Sequence, residues 1–432
     1  MDEKRQGGVI QLAMPEELES AAIVRMVEDL SRADLGDPRR VARAQEVVRR
    51  LGAMPDASLP DALGTDAELE GAYRLFSNHR VSFEQLFDAH ALGTVERAQG
   101  CKLVLAIHDT TSCGFRHADP EEIGYLNTGK PGFPLHLTLV VDTGEWRRPL
   151  GLTHAEVLPR AKAPRPRGTK HKESGGVTAR KANKEFLRWQ RGIEITECRM
   201  AGSGVAVIHV ADRESDAYEL MATCLQQAQR FIFRARTNRN AFHDGGTIPI
   251  RELVEDAEVV LEREVPLSRR LGTSAAALRR THPPRESRVA RLRFSSTTAT
   301  FCRPSIVGAH MPPTIKANVL HVFEHDAPDG QEPVDWLLYT TEPLETRAQI
   351  ENIVDYYRCR WQIEVSHSCC SPCDRSIYLS ADAEKIAPSG VDDGGFRRSR
   401  STGLGDTARQ QGGIVRRARL IAGVPRGTCS SS

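Results

Sequence analysis

Two apolar segments that each end in an aspartate constrain the fold of this chain more than any other feature. Residues 103–108 read Leu-Val-Leu-Ala-Ile-His before Asp109, and residues 205–211 read Val-Ala-Val-Ile-His-Val-Ala before Asp212. Both segments are short and rich in branched residues, so each predicts a strand that is buried on both faces of a sheet. One such aspartate can simply start a turn. The recurrence of the pattern favours two rigidly mounted carboxylates, which are well placed to hold a metal ion.

Length and charge bound the class of protein. A chain of 432 residues predicts two or three structural units. With 59 Lys and Arg against 57 Asp and Glu, the net charge is only +2, so a polyanionic partner must be met by local basic patches. There is no run of apolar residues long enough to predict a membrane span or a secretion signal, and the chain is expected to be cytoplasmic.

The cysteines do not predict a metal site. Ten are scattered along the chain, and Cys370 and Cys373 form a single CxxC pair. No second pair stands at the spacing of a zinc site, so this one is interpreted as chance and the thiols as reduced.

Residues 1–95 are predicted to form a small all-helical domain. Asp37 is a candidate N-cap with Pro38 at the first position of a helix that runs to about Leu51. A basic helix of this kind is either a solvated face or a surface that binds the phosphate backbone of DNA. Its candidate DNA-binding side chains are Arg39, Arg40 and Arg43.

Strand patterns replace helical ones from Lys102. Segments 103–109, 135–142 and 149–157 with short connections predict an antiparallel meander. Residues 160–184 form a basic loop, either a solvated linker or a loop that contacts nucleic acid. Ser215 or Asp216 is expected to cap a helix that starts at Ala217.

Residues 241–333 contain alternating strands and are predicted to be an all-β insertion, after which 336–340 return to the main sheet. An amphipathic helix is then predicted from about Arg347 to Glu364. On it Tyr357, Arg360 and Glu364 follow one another at spacings of three and four, which places them on one helix face. The simplest interpretation is a surface Arg–Glu pair.

Taken in order, these motifs resemble those of a known protein family. Over residues 15–364 the chain resembles the IS4 family of bacterial insertion-sequence transposases. The segments that carry the resemblance are Ala-Asp-Leu-Gly-Asp-Pro-Arg-Arg at 33–40, Glu-Gly-Ala-Tyr-Arg at 70–74, His-Asp-Thr-Thr-Ser at 108–112, Ala-Asp-Arg-Glu-Ser-Asp at 211–216, and Tyr-Arg-Cys-Arg-Trp-Gln-Ile-Glu at 357–364.

The resemblance implies a catalytic site and its ligands. It implies that Asp109, Asp212 and Glu364 form a carboxylate triad that binds two Mg²⁺ or Mn²⁺ ions, a role that hard oxygen ligands suit. It also implies that phosphates of double-stranded DNA are bound beside the triad. The residues expected to contact them are Tyr357, Arg360 and, in the second motif, Arg213.

The resemblance also implies a reaction. The element's terminal inverted repeats are bound by the helical domain and nicked. The freed 3′-hydroxyl then forms a hairpin, which opens before strand transfer into target DNA. Two copies of the chain act as a homodimer on paired ends.

The predicted fold class is therefore α/β, with a ribonuclease-H-like mixed-sheet core and an all-β insertion. A small all-α domain precedes the core and an irregular tail follows it. The predicted boundaries are 1–95 for the helical domain, 96–240 for the first part of the core, 241–333 for the insertion, 334–368 for the helix with the glutamate, and 369–432 for an aberrant tail.

The tail departs from the family pattern. Ser371 stands where the family has a lysine, and Pro372 would stop any continuing helix. Composition beyond Val365 predicts disorder, and the abrupt change suggests a shift of reading frame, a hypothesis that resequencing the gene would test. Such a shift of reading frame would leave the third carboxylate poorly supported and the transposase impaired.

Two other functions stay open. A catalytically inactive chain that occupies inverted repeats would act as a repressor of transposition. A simple metal-dependent nuclease of the same fold is the third possibility, but it leaves the Tyr357 and Arg360 pair without a role.

Overall fold

The computed structural model describes residues 15–55, 57–115, 118–161, 187–267, 269 and 284–363, with side chains from residue 21 onward. The described residues fall into two compact units, which divide between Gly93 and Thr94. Helices of the first unit are α1 (Pro15–Leu30), α2 (Pro38–Ala53), α3 (Leu59–Leu63), α4 (Asp66–Phe76) and the greater part of α5 (Phe83–Ala98).

The start of α2 confirms the predicted cap. The side chain of Asp37 accepts a hydrogen bond from the backbone N–H of Arg39 at 2.9 Å, and Pro38 occupies the first helical position. The short helix α3 was not predicted. It begins at a capping serine, Ser58, and Pro60 lies in its first turn, where proline costs no hydrogen bond.

The second unit is built on one eleven-stranded mixed sheet. Its strands are β1 (Leu103–Gly114), β2 (Gly132–Asp142), β3 (Pro149–Val157), β4 (Ala206–Ala211), β5 (Arg230–Arg234), β6 (Asn240–His243), β7 (Gly246–Pro249), β8 (Val259–Leu267), β9 (Arg288–Cys302), β10 (Thr314–Glu324) and β11 (Asp335–Thr340). Their order is β3-β2-β1-β4-β5-β11-β10-β9-β6-β7, and β8 pairs with β9.

The predicted meander is confirmed, since β1, β2 and β3 pair antiparallel. On its other side β1 pairs parallel with β4, which pairs parallel with β5. The prediction that β1 ends at Asp109 is wrong. The strand continues to Gly114 because its antiparallel ladder with β2 extends to Gly132.

The strands between residues 241 and 333 continue the main sheet. β11 lies between β5 and β10, and β10 pairs with β9 along its whole length. β11 therefore lies in the main sheet, as expected for residues 336–340.

Helices cover both faces of the sheet. They are α6 (Pro120–Ile123), α7 (Leu187–Met200), α8 (Tyr218–Gln226), α9 (Ile250–Glu255) and α10 (Arg347–Arg358). Leu105 and Ile107 belong to the core cluster that contains Ile350 and Val354 of α10, whereas Trp189 of α7 belongs to a separate cluster. Burial on both faces explains why the β1 segment lacks polar alternation.

Two predicted helix boundaries are wrong. α10 begins at Arg347, with a capping box between Thr346 and Gln349, but it ends at Arg358 and a turn follows at 359–360. The predicted continuous helix to 364 is therefore interrupted. α8 has Ala217 as its N-cap without a side-chain hydrogen bond, so neither predicted residue caps it.

Several predictions lie outside the described residues. They concern most of the basic loop, the glutamate at 364, the CxxC pair and the tail at 369–432. Among the described helices, none is long and apolar enough to cross a membrane.

Candidate functional site

Asp109 and Asp212 are neighbours across the parallel β1–β4 ladder. The last register pair of that ladder is His108 with Ala211, and an aspartate follows directly on each chain. Adjacent strands lie about 4.8 Å apart. Both side chains are buried, at 6% and 5% exposure. The sheet thus brings together two of the three predicted carboxylates.

The two carboxylates share one face of the sheet. Asp109 has the same parity as Leu105 and Ile107, and Asp212 the same parity as Val210, so both lie on the α10 side. Tyr357, one of the residues predicted to contact DNA beside them, belongs to the core cluster on that side. Arg360 is 4% exposed, and its positive charge acts on Asp109.

Burial raises the pKa of the Asp109 carboxyl, because the charged form loses hydration. The positive charge of Arg360 and a hydrogen bond from the backbone N–H of Thr110 oppose that rise. Asp212 is held by its own turn, since its Oδ1 accepts the backbone N–H of Glu214 at 2.9 Å. Arg213 lies half-buried in the same turn.

Tyr357 is buried, at 5% exposure, with its ring 5.5 Å from that of Trp336. Burial raises the pKa of its hydroxyl, and Arg234 opposes this both by charge and by donating a hydrogen bond. The negative charge of Asp212 adds to the rise.

Arg188 is a residue of this site that sequence reasoning missed. It extends from α7 to the face of β1 that is opposite Asp109. There its Nε donates to Thr110 Oγ1 at 2.8 Å. Its Nη2 donates to Glu214 Oε2 at 2.7 Å, and its charge lowers the pKa of Asp109. The signal was a lone arginine between apolar Leu187 and Trp189, which does not reveal a contact with a distant strand.

The donor set suits a divalent cation. Two buried carboxylates follow neighbouring strands, and hard carboxylate oxygens are ligands that Mg²⁺ and Mn²⁺ prefer. Within the part of the chain that the structure describes, no three Asp, Glu, His or Cys side chains converge on a single metal position. The third predicted ligand, Glu364, lies outside that part.

Beside this site, on the α7 face of the sheet, lies a row of buried histidines. His209 Nε2 bonds Glu197 Oε1 at 2.9 Å, and His209 Nδ1 lies 2.9 Å from His108 Nε2. His108 Nδ1 lies 3.0 Å from Thr138 Oγ1. Since the Glu197 carboxylate can only accept, His209 donates to it from Nε2.

Gly192 allows α7 to approach these rings. A Cβ there would lie 3.0 Å from His136 Nε2 and 3.1 Å from His108 Nδ1. Burial lowers the pKa of His108 well below its ordinary value, and the neighbouring histidines add to that effect. The His108 ring is therefore neutral at pH 7.

A pH dependence of stability follows from the lowered pKa of His108. The unfolded chain binds more protons below about pH 6.5, so stability falls as pH drops through that value, by up to about 1.4 kcal/mol per pH unit. Urea unfolding followed by tryptophan fluorescence should show this slope, because all four tryptophans lie in the second unit.

His108→Asn should flatten that slope between pH 7 and pH 5, while His79→Asn, at an exposed position in the first unit, should not. An unchanged slope in the first variant would contradict the assignment of the pH effect to this row.

The predicted basic side chains of α2 are placed differently from one another. Arg39 is exposed. Arg40 is half-buried and donates to the Leu35 carbonyl at 2.6 Å. Arg43 packs over Gly71, where a Cβ would lie 2.9 Å from its Cζ. Of the three, Arg39 is the most accessible to a ligand.

Comparison with known families addresses this helical unit. Residues 26–81 match the family model described as Transposase DNA-binding. The chain carries a transposase DNA-binding region. The match spans α2, α3 and α4 with the end of α1, and it includes all three arginines predicted to contact DNA. DNA is thus the partner that this region indicates.

Proposed function

We propose that this chain is a DNA transposase of the IS4 type, with a ribonuclease-H-like core, that cuts DNA at the terminal inverted repeats of its element. The observation that carries the proposal is the combination of a transposase DNA-binding region with two adjacent buried carboxylates in the following unit. Asp109, Asp212 and Glu364 are assigned as the ligands of two Mg²⁺ or Mn²⁺ ions. When bound, such ions supply Lewis-acid stabilisation of the attacking and leaving oxygens in phosphoryl transfer.

The remaining chemistry belongs to the side chains of the site. The strands fix Asp109 and Asp212 on a rigid, buried mount. Arg360 supplies a permanent positive charge beside Asp109, suited to a DNA phosphate next to the cleavage point. Arg234 opposes the rise in the pKa of the buried Tyr357 hydroxyl, and we assign that hydroxyl to a phosphate contact beside Arg360. Two copies of the chain on paired ends complete the proposed assembly.

The test is product analysis on labelled DNA that carries one end of the element. The purified chain with Mg²⁺ or Mn²⁺ should first nick the DNA to leave a 3′-hydroxyl and then form a hairpin end. Nicks without hairpins would favour a simple nuclease. DNA that is retarded in a gel but never cut would contradict the proposed enzyme.

That last outcome would support the second candidate, a repressor that occupies inverted repeats. The family match is compatible with such a repressor, because the matched residues belong to the DNA-binding region alone.

Binding by the helical unit gives a further prediction. Arg39→Gln should weaken binding to element-end DNA and reduce the slope of log K against log salt by about one, because one phosphate contact is lost. Arg49→Gln is the matched control on the same helix, since Arg49 already pairs with Glu46. Fluorescence anisotropy at several salt concentrations measures both. Equal slopes for wild type and Arg39→Gln would contradict a phosphate contact at this residue.

A further inference from the structure

The β1–β4 ladder ends immediately before the two buried aspartates. Its last register pair is His108 with Ala211, and Asp109 and Asp212 are the next residues of the two chains. Ladder hydrogen bonds fix the distance between two strands only where their residues pair. The separation of the two carboxylates therefore depends also on contacts that lie beyond the last pair.

Arg188 of α7 makes a contact of this kind with both chains. Its Nε donates to Thr110 Oγ1 at 2.8 Å, and its Nη2 donates to Glu214 Oε2 at 2.7 Å. Thr110 directly follows Asp109 on β1. The backbone N–H of Glu214 donates to Asp212 Oδ1 at 2.9 Å. The guanidinium thus joins the residue that follows one aspartate to the turn that the other aspartate caps.

The bridge is built from restrained parts. The side chain of Arg188 is 10% exposed, and its Cζ lies 5.5 Å from the centroid of the buried Trp189 ring. Thr110 Oγ1 also bonds His136 Nδ1 of β2 at 2.9 Å. The Glu214 side chain is 57% exposed, but a buried guanidinium favours a charged acceptor, which stabilises the pair. The two donors belong to one planar fork, a geometry that the single ammonium of a lysine does not reproduce.

We propose that Arg188 is a positioning residue of this site, which holds the Asp109 and Asp212 carboxylates at the separation that a divalent cation requires. It acts through Thr110 and Glu214. The inference rests on the proposed function, because it adopts the cation assigned to the two aspartates. Loss of the fork should therefore weaken metal binding even when the positive charge is kept.

Charge-conserving variants test the bridge, with Mn²⁺ as the probe. The ion is titrated into the full DNA-free chain, and the free ion is followed by electron paramagnetic resonance. Arg188→Lys should weaken Mn²⁺ binding about 10- to 100-fold, the loss typical when an outer partner of a metal ligand is removed. Thr110→Val removes the hydroxyl but keeps the size of the side chain and the charge of the site, so it should weaken binding to a similar extent.

Two further variants test whether both changes act through one bridge. Thr110→Ser restores the hydroxyl and should bind Mn²⁺ as wild type does. The double variant Arg188→Lys with Thr110→Val should bind Mn²⁺ no more weakly than the weaker single variant, because both changes break the same contact. Independent effects of the two changes would add instead.

Arg191→Lys is the matched control on the same helix. Arg191 also donates from a fork, but its Nε and Nη2 both reach the carboxylate of Glu156 on β3, at 3.0 and 2.8 Å. The variant therefore removes a fork that does not join β1 to the turn after β4, and it should bind Mn²⁺ as wild type does. Urea unfolding by tryptophan fluorescence confirms that each variant is folded.

The inference is overturned if folded Arg188→Lys or Thr110→Val binds Mn²⁺ like wild type, if their losses add in the double variant, or if wild type binds none. Its failure is separate from that of the proposed function. Weaker Mn²⁺ binding in Arg188→Lys, with wild type that never cuts DNA, contradicts only the transposase. DNA cutting by wild type with unchanged Mn²⁺ affinity in Arg188→Lys contradicts only the positioning role.

Discussion

Asp109→Asn is expected to reduce metal-dependent DNA cutting at least about 1,000-fold, equal to about 4 kcal/mol of lost transition-state stabilisation. The amide keeps the shape of the side chain but removes the negative oxygen that a hard cation requires. Asp212→Asn should have the same effect, since the two residues are equivalent across the β1–β4 ladder. Single-turnover cutting of labelled element-end DNA measures both, and gel retardation on the same samples should be unchanged.

The sheet offers a matched control for this loss. Asp142 is also buried, at 3% exposure, but it pairs with Val104 at the opposite end of β1. Asp142→Asn should cut DNA at a rate within about threefold of wild type, since it removes a buried carboxylate that is remote from the reacting centre. Equal losses in Asp142→Asn and Asp109→Asn would mean that the effect is one of folding.

Asp216→Ala is expected to destabilise the second unit by about 3–5 kcal/mol, because it leaves Arg239 as an uncompensated buried charge. The side chains of Asp216 and Arg239 are 0% and 8% exposed. Asp216 Oδ2 also accepts the backbone N–H groups of Arg236 and Thr237, both at 2.7 Å. The Asp216 carboxylate thus links the segment after β5 to the turn that carries Glu214.

Urea unfolding by tryptophan fluorescence measures this loss. Glu351→Ala is the control in the same unit, since it breaks a partly exposed pair with Arg347 and should cost less than about 0.5 kcal/mol. A loss below about 1 kcal/mol in Asp216→Ala would contradict the buried-pair assignment.

Local signals predicted the parts of the fold that local physics decides. The cap at Asp37, the start of α10 at Arg347 and the two strands before Asp109 and Asp212 depend on nearby residues and on apolar runs. Because neighbouring parallel strands end at one edge, the two aspartates could also be predicted to meet.

Features set by distant partners could not be predicted. β1 extends past Asp109 because β2 continues the ladder. Asp216 does not cap α8 because Arg239 and two loop amides occupy its carboxylate. Arg188 reaches the site from another helix across Thr110, and no spacing in the sequence encodes that contact.

The N-terminal arginines show the same limit. A basic helix was predicted, but packing distinguishes its members, since Arg40 binds the Leu35 carbonyl and Arg43 requires the bare backbone of Gly71. Arg39 is left exposed. The family match at residues 26–81 agrees with the predicted DNA-binding role of this region without assigning it to single residues.

The most direct test of the proposed centre is anomalous scattering from crystals of the chain soaked in Mn²⁺. The proposal predicts a manganese peak within bonding distance of carboxylate oxygens of both Asp109 and Asp212, about 2.0–2.2 Å away. That peak should be absent from Asp109→Asn crystals prepared in the same way. Ordered carboxylates with manganese bound only elsewhere on the chain would contradict the assignment of these two residues as the metal centre of a DNA-cutting enzyme.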